Sequence, residues 1–270
     1  MKDFHIHSGL IEHTHDDIFS IAKKAKELGF SEITILEHVS PFKIKYPNSS
    51  DLSNTIFINE IPSIYPRRTS IVSTLIAQCQ KAEKELDIKI NRSLEVDYYK
   101  DFDHEIRRYL ELEIDYLTLS SHYLEDRGAR EENRLIHIGF EENIDYFLKK
   151  YGEKKLYEQY FENQMNGIKS GLFKVVAHLD FFGRYLKDYD PQKIMKYVDP
   201  ILKEIIKRDM FLEINLAKKY PLPGIKIIER YKVLGGDKTC LSSDSHSISD
   251  LEKSIEGRDK ILQKINIDIK

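Results

Sequence analysis

Residues 3–38 read DFHIHSGLIEHTHDDIFSIAKKAKELGFSEITILEH, and this stretch decides the fold. DFHIH is a short apolar run interrupted by histidines, of the length and composition of a buried strand. Ile18, Ile21, Ala22, Ala25 and Leu28 then recur at the three- and four-residue spacing of an amphipathic helix, and Gly29 stops it. Glu32–His38 is a second strand-like run. The same alternation continues through runs from Ile88 (IKINRSLEVD), Tyr116 (YLTLSSH), Phe173 (FKVVAHLD), Met210 (MFLEIN) and Thr239 (TCLSSDSH). Helical spacing lies between them, over Arg67–Leu86, Glu142–Ser170, Pro191–Arg208, Ile225–Leu234 and Ser249–Ile265. Several runs are apolar on both faces, as strands covered by helices must be. Seven strands alternating with helices predict an α/β fold, a distorted TIM-like (β/α)7 barrel with right-handed crossovers.

A chain of 270 residues can form such a barrel as one domain over residues 1–270. The one interruption is the stretch from Pro41 to Arg68, where four of the eight prolines stand, at 41, 47, 62 and 66, and it reads as an inserted loop over one end of the barrel. Lys and Arg number 42 against 45 Asp and Glu, a net charge of −3, with a sequence pI near 6.4. That balance disfavours a general nucleic-acid binder. No span has the apolar length of a membrane crossing, and no signal-peptide core precedes the first strand. Cys79 and Cys240 form no CxxC pair, so a reduced, cytoplasmic setting is expected, with Cys240 a buried strand residue.

The chain has ten histidines. His5 and His7 end the first strand, His13 follows it, and Glu37 with His38 ends the second. Glu95 lies on the third, His122 ends the fourth, His178 the fifth, and Asp244 with His246 the seventh. In a βα barrel the carboxyl ends of all strands meet at one face, where active sites are built. These side chains should therefore converge. His5 and His7, two apart in a strand, point the same way, and so do Asp244 and His246. A single strand histidine is ordinarily a hydrogen-bonded core residue. Nine ligand-type groups buried at one mouth without an ion would leave several polar atoms unsatisfied, at about 1–3 kcal/mol each. They suffice for a cluster of two or three ions of the kind imidazole favours, zinc, iron or manganese. His15, beside Asp16 and Asp17, reads as a capping or surface residue, His104 as solvent-facing, and His137 is ambiguous.

HIHSGLIEH, ILEH, LEVDYY, SSHYL, AHLDFFGR, LEIN and SSDSH, in this order from residue 3 to residue 246, resemble the motifs of the polymerase and histidinol phosphatase (PHP) superfamily of metal-dependent phosphoesterases. Within it, LEVDY is similar to the histidinol-phosphatase family. The resemblance implies a distorted seven-unit barrel and a trinuclear site. One ion would be held by His5, His7, Glu95 and Asp244, a second by Glu95, His122 and His178, and a third by His13, His38 and His246. Glu37 would orient a ligand from behind. It also implies hydrolysis of L-histidinol phosphate to L-histidinol and phosphate, in histidine biosynthesis, by attack of a metal-bridging hydroxide. Asp244 and His246 are the candidates for proton transfer, and Arg184 matches an arginine near the phosphate. Family members commonly carry an arginine after the sixth strand, where this chain has Leu216, Ala217, Lys218 and Lys219, so these two lysines are the candidate phosphate partners there. Three alternatives stay open: a PHP-type phosphatase for phosphotyrosine or another small phosphorylated metabolite, a nuclease, and a metal-binding scaffold without catalysis.

Overall fold

The computed structural model describes residues 1–10, 16–39, 55–57, 65–127, 133–217 and 221–265. Ten strands lie in chain order as β1 (Lys2–His7), β2 (Glu32–Val39), β3 (Thr55–Phe57), β4 (Lys89–Asp97), β5 (Tyr116–Ser120), β6 (Tyr123–Arg127), β7 (Asn133–His137), β8 (Val175–Val176), β9 (Phe211–Asn215) and β10 (Thr239–Ser242). Seven of them form one parallel sheet in the order β1-β2-β4-β5-β8-β9-β10. Its edges approach each other: His7 N donates to Ser245 O at 2.9 Å, and Asp244 N to His5 O at 2.9 Å. The sheet is thereby nearly closed into the expected barrel.

The helices are α1 (Ile18–Glu27), α2 (Tyr65–Leu86), α3 (Asp103–Arg107), α4 (Glu141–Tyr151), α5 (Glu153–Ser170), α6 (Pro191–Lys207), α7 (Ile225–Val233) and α8 (Ile248–Ile265). Local chemistry fixes their ends. Asp17 caps α1 by accepting from Ser20 N at 3.0 Å. Gly29, at φ +84°, turns the chain out of it while Phe30 N bonds back to Ala25 O at 3.0 Å. The buried face of α1, Ile18, Ile21, Ala22 and Ala25, packs on Ile33, Ile35 and Ile90 from the outer side of the sheet. Each isoleucine so buried contributes about 1.5–3 kcal/mol. On the other flank Ile194, Val198, Ile201, Leu202 and Ile205 of α6 join the main core.

Three features depart from the sequence pattern. The single helix expected over Glu142–Ser170 is two, because Gly152 sits at φ +81° between α4 and α5. The strand expected from Phe173 pairs only at Val175–Val176, since His178, at φ +22°, takes the chain off the sheet. The expected loop at 41–68 holds β3 and the start of α2, and its residues 41–54 and 58–64 lie outside the described residues. β3, β7 and β6 form a separate antiparallel sheet.

The barrel interior is layered. In β1 the register gains one residue on β2 between Asp3 and Ile6, a bulge. Phe4 packs with Tyr116, Val175 and Cys240, filling the interior at the level below the mouth. Above this lies a layer of hydroxyls, with Thr34 Oγ1 and Tyr116 Oη 2.8 Å apart and Ser93 Oγ 3.2 Å from Thr118 Oγ1. The imidazoles and carboxylates form the top layer.

Candidate functional site

The carboxyl ends of the strands bring His5, His7, His38, Glu95, His122, His178, Asp244 and His246 together. Glu95 stands at the centre. His178 Nε2 lies 2.8 Å from its Oε1 and His122 Nε2 lies 3.4 Å from the same oxygen. Its Oε2 faces His38 Nδ1 at 2.8 Å, His5 Nε2 at 3.4 Å and His7 Nε2 at 3.5 Å. Asp244 Oδ1 is 3.6 Å from His5 Nε2 and 3.4 Å from His7 Nε2. The rings of His38 and His246 stack on His7 at 4.2 and 4.0 Å. His13, Lys218 and Lys219, and also His15, lie outside the described residues.

Two backbone turns aim the side chains. His178 (φ +22°) and Asp244 (φ +51°) adopt a left-handed conformation that costs about 1–3 kcal/mol and persists only where neighbours hold it. His178 N donates to Glu213 Oε2 at 2.6 Å, and Asp244 Oδ2 accepts from Asn215 Nδ2 at 3.1 Å.

Behind these imidazoles stand two carboxylates that are not among the residues expected from the sequence, Glu213 in the middle of β9 and Asp97 at the end of β4. His5 Nδ1 is 2.6 Å from Glu213 Oε1, and His122 Nδ1 is 2.9 Å from Asp97 Oδ1. Each carboxylate accepts a hydrogen bond from Nδ1–H, which in the neutral imidazole leaves the Nε2 lone pair facing the centre. His5 Nε2 and His7 Nε2 then sit 3.1 Å apart. With Asp244 Oδ1 and Glu95 Oε2 they are electron-pair donors turned on a common space, the arrangement that suits a cation. Among the described residues three such sets occur, His5, His7 and Asp244; His7, His38 and His246; and His38, Glu95 and His122. His7 and His38 each belong to two of them, so the sets are contiguous.

The electrostatics follow from this packing. Burial opposes ionisation of Glu95 and Asp244, but the surrounding imidazoles, joined at Asp244 by Arg184, hold both carboxyls well below their ordinary range. Burial likewise opposes charging His5 and His122, yet Glu213, Glu95 and Asp244 raise the first well above its usual value. Asp97 and Glu95 raise the second to about 9. His7, buried and facing His38, is pushed well down. Glu37 points to the opposite face of β2 from His38, where Ser8 Oγ donates to it and burial raises its carboxyl to about 7.

Arg184 is buried rather than solvated. Its Nη2 donates to Asn215 Oδ1 at 2.5 Å and its Nη1 to Asp244 Oδ2 at 3.3 Å, while the buried Nε has no partner among the described residues. His104 is exposed, as expected. His137, at the end of β7, stacks 5.8 Å from His122, and burial together with that neighbour pushes its pKa down to about 3. Among the described residues no helix is long and apolar enough to cross a membrane.

The PHP domain family matches residues 3–217. A Thermotoga maritima protein named "Probable histidinol-phosphatase" is 26% identical over 209 residues, 73% of this chain and 86% of that protein. The histidinol-phosphatase of Bacillus subtilis is 25% identical over 229 residues, 80% of each chain. The crystal structure of histidinol phosphate phosphatase from Lactococcus lactis, complexed with zinc, L-histidinol and phosphate, superposes with a TM-score of 0.71 at 19% identity. The match covers 99% of this chain and 94% of that one.

Proposed function

The chain belongs to the PHP domain family, and on that premise we propose that it is a metal-dependent phosphomonoesterase hydrolysing L-histidinol phosphate to L-histidinol and phosphate. The observation that carries this is the set of imidazole and carboxylate lone pairs converging on one space at the barrel mouth, with a buried arginine beside it. The names of the Thermotoga and Bacillus relatives and the contents of the Lactococcus structure support the substrate.

His5, His7, His13, His38, Glu95, His122, His178, Asp244 and His246 would hold two to three divalent ions, zinc, iron or manganese. Ions bound there supply Lewis acidity, which lowers the pKa of water and offsets charge on phosphoryl oxygens. The chain's own groups do the rest. Glu95 and Asp244, with depressed pKa values, are ionised at neutral pH and available to cations. His246 Nδ1 lies 3.0 Å from the Asp244 carbonyl oxygen, to which it donates, and this turns Nε2 to ligand duty. Asp244 and His246 are the candidates for proton transfer, taking the proton of the attacking water as the new P–O bond forms and returning it to the alcohol oxygen as the old one breaks. The Arg184 guanidinium, beside Asp244, offers positive charge to a phosphoryl oxygen, and Lys218 and Lys219 add to it. Glu37 steadies the end of β1 through Ser8. A single catalytic domain in the cytoplasm completes the proposal.

The test is phosphate release from L-histidinol phosphate, phosphotyrosine and a dinucleotide. Histidinol phosphate should be turned over fastest. A preference of more than about tenfold for phosphotyrosine, some 1.4 kcal/mol in transition-state binding, rejects the assignment.

A further inference from the structure

Asp180 is a buried carboxylate that the hydrolysis does not use. It stands two residues after His178, at the head of a single helical turn, Phe181–Tyr185, that carries Arg184. Its Oδ2 accepts from Tyr189 Oη and from Gly224 N, the latter at 3.0 Å, and its Oδ1, also buried, has no hydrogen-bond partner among the described residues. A carboxylate is costly to bury, more so with one oxygen unpaired. What this one secures is a join between three segments.

The first is its own turn, held from below by Phe182, which is buried against Tyr157, Tyr160 and Phe161, and by Phe181 N, which donates to Tyr160 Oη at 3.3 Å. The second is the chain entering α6, which carries Tyr189. The Tyr189 ring lies across Gly183, where a Cβ would stand 2.7 Å from Tyr189 Cε1, so the glycine next to Arg184 is what lets the hydroxyl reach Asp180. The third is the chain returning from β9. Asn215 N donates to Leu222 O at 2.7 Å and Leu222 N to Asn215 O at 3.0 Å, and Gly224, two residues on, leads into α7. Asn215 Oδ1 in turn accepts from Arg184 Nη2 at 2.5 Å. These contacts close a circuit: along the turn from Asp180 to Arg184, across to Asn215, through its pairing to Leu222, on to Gly224, and back to Asp180.

We propose that Asp180, gripped by Tyr189 and Gly224, is a positioning residue for phosphate recognition, which locks the turn carrying Arg184 to the chain returning from β9 and so holds the guanidinium ready on Asn215. The inference rests on the phosphomonoesterase reading and deepens it. An arginine is rich in rotamers, and one fixed both at its backbone and at its guanidinium loses little freedom when an anion arrives, which is where the gain in affinity lies.

The experiment is calorimetric binding of inorganic phosphate to the zinc-loaded protein, with bound zinc measured throughout, for wild type, Arg184→Ala, Tyr189→Phe, Asp180→Ala and the variant combining Arg184→Ala with Tyr189→Phe. Arg184→Ala should weaken phosphate by about 10- to 100-fold, the worth of a hydrogen bond between charged groups. Tyr189→Phe removes one oxygen and should weaken it by about two- to tenfold. Asp180→Ala, which also leaves Gly224 N unpaired, should weaken it further, and Tyr189→Phe serves if that variant does not fold. In the Arg184→Ala background Tyr189→Phe should have no further effect, because both act through one contact. Unchanged phosphate affinity in Tyr189→Phe, whatever its melting temperature, the same loss in both backgrounds, or a loss that follows bound zinc, overturns the positioning role. Coupling between Tyr189 and Arg184 in a protein that releases no phosphate from any ester would leave that role standing and remove the phosphatase. Phosphate release without the coupling would do the reverse.

Discussion

Replacing Glu213 by Gln should weaken metal binding at the barrel mouth without changing the shape of the core. Glutamine has the volume of glutamate, so packing is kept, but only one of its terminal atoms accepts. Glu213 uses both oxygens, Oε1 for His5 Nδ1 and Oε2 for His178 N, each at 2.6 Å, and it is 1% exposed. The amide nitrogen must therefore face one of the two donors. Either the His5 ring loses the acceptor that fixes its tautomer, or the His178 backbone, already at φ +22°, loses the bond that holds its turn. A hydrogen bond to a charged group is worth about 1.5–3 kcal/mol. At 1.4 kcal/mol per decade that is roughly 10- to 100-fold in affinity, the range usual for carboxylates behind metal-binding imidazoles. Zinc competition against a chromophoric chelator reads it directly. An affinity within about twofold of wild type would refute the view that Glu213 sets the ligand geometry.

Two further predictions concern the scaffold. Gly167 in α5 abuts β5 so closely that a Cβ there would lie 2.6 Å from Leu119 Cδ1. Gly167→Ala gains about 1 kcal/mol of helix propensity but overpacks the core by about 1–3 kcal/mol, so thermal melting should show a net loss, and a raised midpoint would contradict the packing. Glu32, at the opposite end of β2 from the site, is opposed by burial, but Asn91, Lys89 and Lys2 hold its carboxyl at about 2. A lowered carboxyl pKa stabilises the fold above the unfolded value near 4.5 and ceases to do so as pH falls through about 2. Glu32→Gln should thus cost about 1 kcal/mol at pH 7 after solvent screening, and less at pH 3, by urea unfolding. An equal cost at both values would show that the charge is irrelevant.

The barrel was legible because its strands are buried on both faces and its histidines fall at strand ends, where any βα barrel gathers them. The α4–α5 break was not, since Gly152 in a long polar helix pattern reads as a tolerated glycine until its φ is known. The β3-β7-β6 sheet escaped because β3 has only three residues and β6 and β7 mix charged with apolar residues. Glu213 and Asp97 escaped for a different reason. Both are acids inside apolar strands, two residues from Asn215 and Glu95 on the same face, and strand alternation alone points them inward. In β9 the site residue, Glu213, lies in the middle of the strand and not at its end. The bulge in β1, where Phe4 packs against Tyr116 and Val175 across the barrel, has no sequence signal.

The most direct test of the central claim is a zinc titration of chelator-stripped protein, with inorganic phosphate release from L-histidinol phosphate as the readout. Turnover should be absent at the start, rise with added ion, and saturate at two to three ions per chain. Turnover without ions, or full occupancy of the site without turnover, would contradict it.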